Sequence, residues 1–536
     1  LIGIKAKRPA ASIETPGHAL RVRPRLRAAL TAAAASMAIT GCEVGPDYVP
    51  PAAPVPYEFK ELEGWKIATP SDDAARGDWW SVYDDATLNA LLQEVDVNNQ
   101  NVAAAEAAFH QSAAMVQEAR AGLFPALSLG YIPTRWHQGS QVSHAYGFPG
   151  NDPKTQTTVS VSPQVAWTFD VWGQIRRQVE SDISAAQASA AGFANARLLA
   201  RTQLAQAYFN LRAADSLQKL LDDTVAAYRK TYEIAQARYK RGTVSIYDVI
   251  TAKTQVQTTL SQAIGVGIQR AQFEHAIAVL MGRPPADVSI APSPLGHRIP
   301  VIPPSVPSAL LERRPDVAYA ERTIASQNAL VGVAVAAYFP SFDLAGFGNS
   351  VLSYATFGWV GSKAFPIAVA NEVWSVGVNA SEVIFEGGLR RGQVAAALAA
   401  YYQSVASYRQ TVLTALQQVE DQLSNLRIMA KQARSLAEAV RLAREALDIT
   451  IAEYKQGTVD FTAVVQAQEV LLSNEINALT VRQDRFLASV NLIQALGGGW
   501  YLSDMPGYDQ LRHWRTCVSA LDLLRGPIDP NMPPCL

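Results

Sequence analysis

Tyr239-Lys240-Arg241-Gly242-Thr243-Val244 recurs as Tyr454-Lys455-Gln456-Gly457-Thr458-Val459, 215 residues further on. Working outward, the same offset joins Leu123-Phe124-Pro125 to Tyr338-Phe339-Pro340. It also joins Leu280-Met281-Gly282 to Ala495-Leu496-Gly497, and Ala105-Glu106 to Ala320-Glu321. Four coincidences at one spacing mark a duplication. A period this long is a whole structural unit, not a solenoid repeat.

Each hexamer closes a long helix-forming stretch. Gly173–Lys240 and Leu389–Lys455 contain no proline. At 1.5 Å per residue each predicts a helix of roughly 100 Å, several times the ordinary length. Val405, Tyr408, Val412, Leu416, Val419, Leu423 and Leu426 recur at spacings of 3, 4, 4, 3, 4 and 3, the pattern of a coiled-coil seam. After each Gly-Thr-Val turn a shorter helix returns, Ser245–Met281 and Asp460–Leu496. Prolines 284, 285 and those between 292 and 307 separate the copies. Asp84–Arg120, rich in Ala, Gln and Glu and free of Pro and Gly, predicts one uninterrupted helix.

After Pro125 the period becomes two. Val159, Val161, Val165, Trp167 and Phe169 alternate with Ser160, Ser162, Gln164, Ala166 and Thr168. Trp374, Val376 and Val378 alternate with Ser375, Gly377 and Asn379. This predicts strands with one apolar and one small or polar face. Leu127, Leu129 and Tyr131, then Phe342 and Leu344, mark shorter partners. Each copy therefore holds a hairpin, with connections expected at 133–156 and 349–372. Four strands cannot close a barrel, and an open sheet in lipid leaves backbone groups unpaired. Three chains supply twelve strands, an even number suited to an outer-membrane barrel. The apolar positions, Val159, Val161, Val165, Trp167, Phe169, Trp374, Val376 and Val378, are expected to face lipid. The helices are too polar to span a bilayer and must extend into water as a tube.

The N-terminus reads as targeting sequence. Arg21–Arg27 is a basic region, Ala28–Ile39 a short apolar one, and Ile39-Thr40-Gly41-Cys42 follows. The cysteine after small residues resembles a bacterial lipobox; an ordinary signal peptide with a coincidental cysteine is the alternative. Thus 1–41 is expected as signal peptide and 42–80 as a lipid-anchored extended strap. Residues 81–300 and 301–500 form the two repeats, and 501–536 a tail. Cys517 and Cys535 lie in that tail, and whether they pair is open.

Net charge is −1, and about −7 once the basic leader is set aside, which argues against a nucleic-acid partner. The seven histidines are scattered without paired metal-ligand spacing. No P-loop, dinucleotide fingerprint or nucleophile elbow is present. No metal site, cofactor or enzymatic activity is expected, apart from covalent lipid on Cys42.

The chain resembles the TolC-like outer-membrane efflux factors, in the lipoprotein (NodT-type) branch serving resistance–nodulation–division pumps. The resemblance covers about residues 42–500. It rests on Cys42 with Gly45-Pro46-Asp47-Tyr48, the Phe-Pro pairs before the hairpins and Phe169-Asp170-Val171-Trp172-Gly173. It rests equally on Arg314-Pro315-Asp316, Ile384-Phe385-Glu386-Gly387-Gly388, both Tyr-x-x-Gly-Thr turns and Gly497-Gly498-Gly499-Trp500. It implies a homotrimeric α+β membrane protein: a twelve-stranded outer-membrane β-barrel, four strands per chain, continued by a long periplasmic α-helical barrel. Implied partners are a periplasmic adaptor and an inner-membrane resistance–nodulation–division transporter. The implied activity is passive conduction of drugs or other small molecules out of the cell.

The resemblance also assigns residues. Gly242, Thr243, Val244, Gly457, Thr458 and Val459 would dock the adaptor; a plain helix hairpin is the alternative. Tyr247, Asp248, Tyr454 and Gln466 match gate positions, with a Tyr454 hydroxyl to Asp248 carboxylate bond holding the closed state. Asp248 could instead merely suit the dipole of its helix. The chain departs from the family pattern at Val459, where an arginine can link chains, and at Gln466, where an aspartate can form an acidic ring. Glu469, one turn on, could supply that ring. The rival functions are a lipid-anchored trimeric coiled-coil scaffold or adhesin, a passive porin, and an outer-membrane component of type I secretion. The return helix in each copy disfavours the adhesin, and the helical tube disfavours the porin.

Overall fold

The computed structural model describes residues 43–61, 78–138, 154–300, 302, 313–344, 358–359, 372–373 and 377–514. The expected signal peptide, Cys42, Trp374, Val376, Cys517 and Cys535 lie outside these residues, as do the side chains of Val159, Val161 and Ser162. Helices α1 (Ala86–Asn98) and α2 (Gln100–Ala121) lead into strands β1 (Ala126–Gln138) and β2 (Lys154–Phe169). The long helix α3 (Gln174–Lys240) and the return helix α4 (Ile246–Leu280) follow. The second copy runs α5 (Pro315–Ala336), β3 (Ser341–Leu344), β4 (Gly358–Trp359), β5 (Glu372–Val373) and β6 (Val378–Ser381). It ends with α6 (Leu389–Gln456), α7 (Phe461–Ala495) and the one-turn α8 (Tyr508–Arg512).

The two long helices span 67 and 68 residues, as their proline-free sequence requires. Among the described residues no helix is long and apolar enough to cross a membrane. Near the sheet the helices lie side by side in the order α2, α3, α5, α6. Toward the far end α4 and α7 take the places of α2 and α5. The seam on α6 is buried from Val405 to Leu426 except at half-buried Leu416, but it is heterotypic. Its first half packs on Val317 and Ile324 of α5, and its second half on Ala488 and Leu492 of α7.

The start of α2 meets the end of α4, and the start of α5 meets the end of α7, by the same contacts in both copies. Asn99 donates its amide to the carbonyl of Leu280 at 2.7 Å. Arg314, its counterpart 215 residues on, donates to the carbonyl of Ala495 at 3.0 Å. This corrects the expectation of one helix over Asp84–Arg120. Asn99 leaves helical geometry (ψ 118°), and its side-chain oxygen accepts from the backbone of Asn101 and Val102. Asn is a strong N-cap, and here tertiary docking to Leu280 fixes the break.

The sheet runs β1-β2-β3-β6, with every pairing antiparallel. β1 and β2 are longer than expected: their ladder continues to Gln138 opposite Lys154. Polar and aromatic residues in the supposed connection still satisfy their backbone groups across that ladder. In the second copy the short pair β4–β5 lies inside the segment expected to be a connection. Register places Leu127 opposite Val165, Tyr131 opposite Val161, Trp167 opposite Leu344, and Phe342 opposite Ala380. Directly opposed residues share a face, so one apolar face is continuous across four strands. Leu127, Leu129 and Tyr131 on it are exposed. The other face carries Thr168, which donates to Asp343 at 2.6 Å.

Arg at Leu129 is expected to cost about 2–4 kcal/mol at the bilayer midplane. Arg at Ser128, on the polar face, should be tolerated. Equal yields of assembled protein in outer-membrane fractions would overturn this face assignment.

The strap explains the Gly-Pro-Asp-Tyr motif. Gly45 (φ +103°) packs against Gly332 so closely that a Cβ would fall 2.5 Å from its Cα. Arg177, almost wholly buried, donates to the Val44 and Gly45 carbonyls, to Asp47 at 2.9 Å and to Glu180 at 2.7 Å. Tyr48 donates to the Glu321 carboxylate. Val44 donates to the Trp172 carbonyl at 3.2 Å, so the strap begins where β2 hands over to α3.

Candidate functional site

The far end of the helices is built twice. In the first copy Gly242 takes φ +74°, and its N–H bonds the Tyr239 carbonyl at 2.8 Å. The N–H and hydroxyl of Thr243 both donate to the Arg238 carbonyl, at 3.1 and 2.9 Å. In the second, Gly457 takes φ +85°, and Thr458 donates both groups to the Glu453 carbonyl, at 3.1 and 3.0 Å. Glycine accepts the left-handed geometry that ends a helix, and the threonines satisfy carbonyls the helix leaves open. Gly242, Thr243, Gly457 and Thr458 are exposed; Val244 and Val459 are half-buried.

The two tips pack on one another. Ala235, Val244 and Ala252 of the first copy share a core with Tyr454, Val459, Phe461 and Val464 of the second. Phe461 stacks edge-on to Tyr454, centroids 5.4 Å apart. Arg238 closes this core. Its guanidinium lies 4.6 Å from the Tyr454 ring centre and donates to the Tyr454 carbonyl. The position 215 residues beyond Arg238 is Glu453, so only the first copy can supply this clasp.

The expected Tyr454 to Asp248 hydrogen bond is absent within the chain. Tyr454 is 2 % exposed, and its hydroxyl has no hydrogen-bond partner among the described residues. The ring is instead held by its face and its backbone carbonyl, because Arg238 occupies the approach. Asp248 remains electrostatically close. Burial, then Asp248, pushes the Tyr454 hydroxyl up, while Arg238 opposes the rise. Burial, then Asp460, raises the Asp248 carboxyl above its ordinary range, again against Arg238. Asp460 stands at the N-cap of α7 without capping it, whereas Ser245 caps α4 through Tyr247 N at 3.1 Å. The tip thus gathers two carboxylates, one guanidinium and one buried tyrosine.

Tyr247, Gln466 and Glu469 are exposed on the return helices, outside that cluster. Gln468, not singled out by the sequence, is buried and donates to Thr231 at 3.0 Å; its carbonyl accepts from Tyr228 at 3.2 Å. Arg238 was also missed. The signal available was the charge mismatch between Arg238 and Glu453 in otherwise matching helix ends.

A family model described as outer membrane efflux protein matches residues 91–283 and again 306–498, two copies starting 215 residues apart. The probable efflux pump outer membrane protein TtgC of Pseudomonas putida is 26% identical over 484 residues, covering 88% of this chain and 96% of that protein. Nodulation protein T of Rhizobium leguminosarum bv. trifolii is 26% identical over 471 residues, 87% and 96% of the two chains. The solved outer-membrane channel OprN superposes with a TM-score of 0.76 at 26% identity, over 86% of this chain and all of that one. A polar tube of paired long helices, a sheet with a continuous apolar face and two matched family units lead to one conclusion: the chain belongs to the outer membrane efflux protein family, as an outer-membrane channel component of efflux extending into the periplasm.

Proposed function

We propose that three copies assemble into one conduit: a twelve-stranded barrel continued by a closed helical tube, passive and without catalysis. The observation that carries this is the four-stranded sheet. β1 and β6 are its outer strands and pair with nothing further among the described residues. Backbone groups on such edges need partners in lipid, and neighbouring copies supply them. The test is chemical cross-linking followed by single-channel recording of the purified protein in planar bilayers. Trimers that conduct are expected; non-conducting monomers would overturn the proposal.

The exposed tips are the proposed docking surface for a periplasmic adaptor that joins the tube to an inner-membrane resistance–nodulation–division transporter. A Cβ built at Gly242 meets nothing within 4 Å, so this turn is open to a partner. Tryptophan at Thr243 and Thr458 together is expected to abolish efflux-dependent drug resistance while leaving trimers intact. Normal resistance would place docking elsewhere. The Arg238–Tyr454 core, with Asp248 beside it, is the proposed gate. Tyr247 and Gln466 line its approach, and Glu469 supplies the ring of three carboxylates.

Lipid on Cys42 completes the proposal. Glu43, the next residue, lies against Gly173, at the junction of sheet and tube. A lipid carried one residue earlier therefore starts at membrane level. Mass spectrometry of the mature protein is expected to find a triacylated Cys42 as its first residue. Cys42→Ala should still assemble, because the barrel is itself an anchor. An unmodified Cys42 would remove this part of the proposal.

A further inference from the structure

Directly below the sheet, the last turn of α2 and the C-terminal segment enclose a groove that conduction and gating do not use. Leu511 is fully buried among Ala113, Val116, Val179 and Ile183. Trp514 stands edge-on to Phe109 at 5.6 Å. Arg120 donates one Nη to the Arg512 carbonyl. These contacts fix the segment along α2 and leave a groove of about 480 Å3 lined by Gln117, Arg120, Ala121, Phe124, His513 and Trp514.

Its level in the molecule is set by two contacts. Gly122 lies against Ile175 in the first turn of α3, and Trp167 of β2 donates to the Leu123 carbonyl at 3.1 Å. The groove therefore sits one turn below the exposed apolar residues Leu127 and Leu129, at the edge of the bilayer. Phe124, 63% exposed, continues that apolar face downward. No carboxylate lines the groove among the described residues. The nearby acids Glu43, Glu180 and Asp509 act on Tyr508 instead. Arg120 has five N–H donors, and one Nη serves the Arg512 carbonyl.

We propose that this groove is a binding site for an anionic phospholipid. Its phosphate bonds Arg120 beside His513, and an acyl chain follows Phe124 toward Leu127. The argument is complementarity at a defined depth. A guanidinium without an acid partner among the described residues, flanked by aromatic side chains at the membrane boundary, matches a ligand with phosphate above an apolar tail. The site rests on outer-membrane placement and not on the gate.

The test is native mass spectrometry of the assembled full-length protein, titrated with phosphatidylglycerol, phosphatidylcholine or inorganic phosphate. Wild type is expected to hold phosphatidylglycerol about tenfold more tightly than phosphatidylcholine. Arg120→Gln should lose that preference and Arg120→Lys keep part of it. Phe124→Ala, at a position 63% exposed, should weaken both lipids and serves if Arg120→Gln fails to assemble. Undiminished phosphatidylglycerol binding by Arg120→Gln, or by Phe124→Ala where that variant stands in, overturns the proposal. So does inorganic phosphate displacing the lipid at equal concentration, which would mean an adventitious ion only.

Discussion

Arg238→Ala is expected to open the periplasmic end of the channel. Among the described residues Arg238 is the one side chain that holds both the ring and the backbone of Tyr454 from the other repeat. A charge-assisted hydrogen bond contributes roughly 1.5–3 kcal/mol, and a partly desolvated cation–π contact about 1–2. Loss of even about 2 kcal/mol in one chain shifts a closed-to-open ratio by roughly 30-fold, and three chains multiply the effect. Single-channel conductance should rise several-fold, and cells should become sensitive to antibiotics too bulky for the closed tube. Arg238→Lys should fall between, because lysine keeps charge but not the planar fork. Tyr454→Phe should change little, since the hydroxyl has no partner to lose. Wild-type conductance in Arg238→Ala, or full opening by Tyr454→Phe, would show that closure depends on other contacts.

Gly497→Ala and Gly282→Ala are expected to abolish assembly. Both residues end return helices with positive φ, +93° and +69°. A Cβ at Gly497 would fall 1.8 Å from the Arg313 carbonyl oxygen, and one at Gly282 2.0 Å from that of Asn98. The left-handed backbone alone costs a β-carbon about 1–2 kcal/mol. The clash is with backbone that cannot rotate away, because Asn99 and Arg314, next in the chain, anchor it to the same helix ends. The joint must separate, and a total on the order of 4 kcal/mol or more follows. Gly242→Ala is the control. It has the same φ sign with nothing within 4 Å, so only the conformational cost of about 1–2 kcal/mol applies. Thermal melts and oligomer bands on gels measure all three. Gly497→Ala that melts with wild type would mean the joint yields more easily than this geometry allows.

The sequence by itself determined the duplication, the two long helices, their glycine-ended turns and the apolar face of the strands. Each is written in a local period or a repeated offset: 215 residues between copies, about 3.6 along the helices and two along Val165, Trp167 and Phe169. Local signals survive because the backbone hydrogen bonds that form helices and turns close within a few residues. What lay beyond them needed distant partners. The break at Asn99 joins a local N-cap to a distant contact, the Leu280 carbonyl that accepts its amide. The α6 seam reads as a coiled coil with its partner unspecified, yet tertiary packing gives it α5 over one half and α7 over the other. The candidate site divides in the same way. Gly242, Thr243, Gly457 and Thr458 were legible as tips. Tyr454 was legible as a residue of the second tip, but its contact with Arg238 was not. Arg238 and Tyr454 are 216 positions apart, and no periodicity links them. Only the packing of one copy's tip on the other decides that a guanidinium, not the Asp248 carboxylate, takes the space beside that ring.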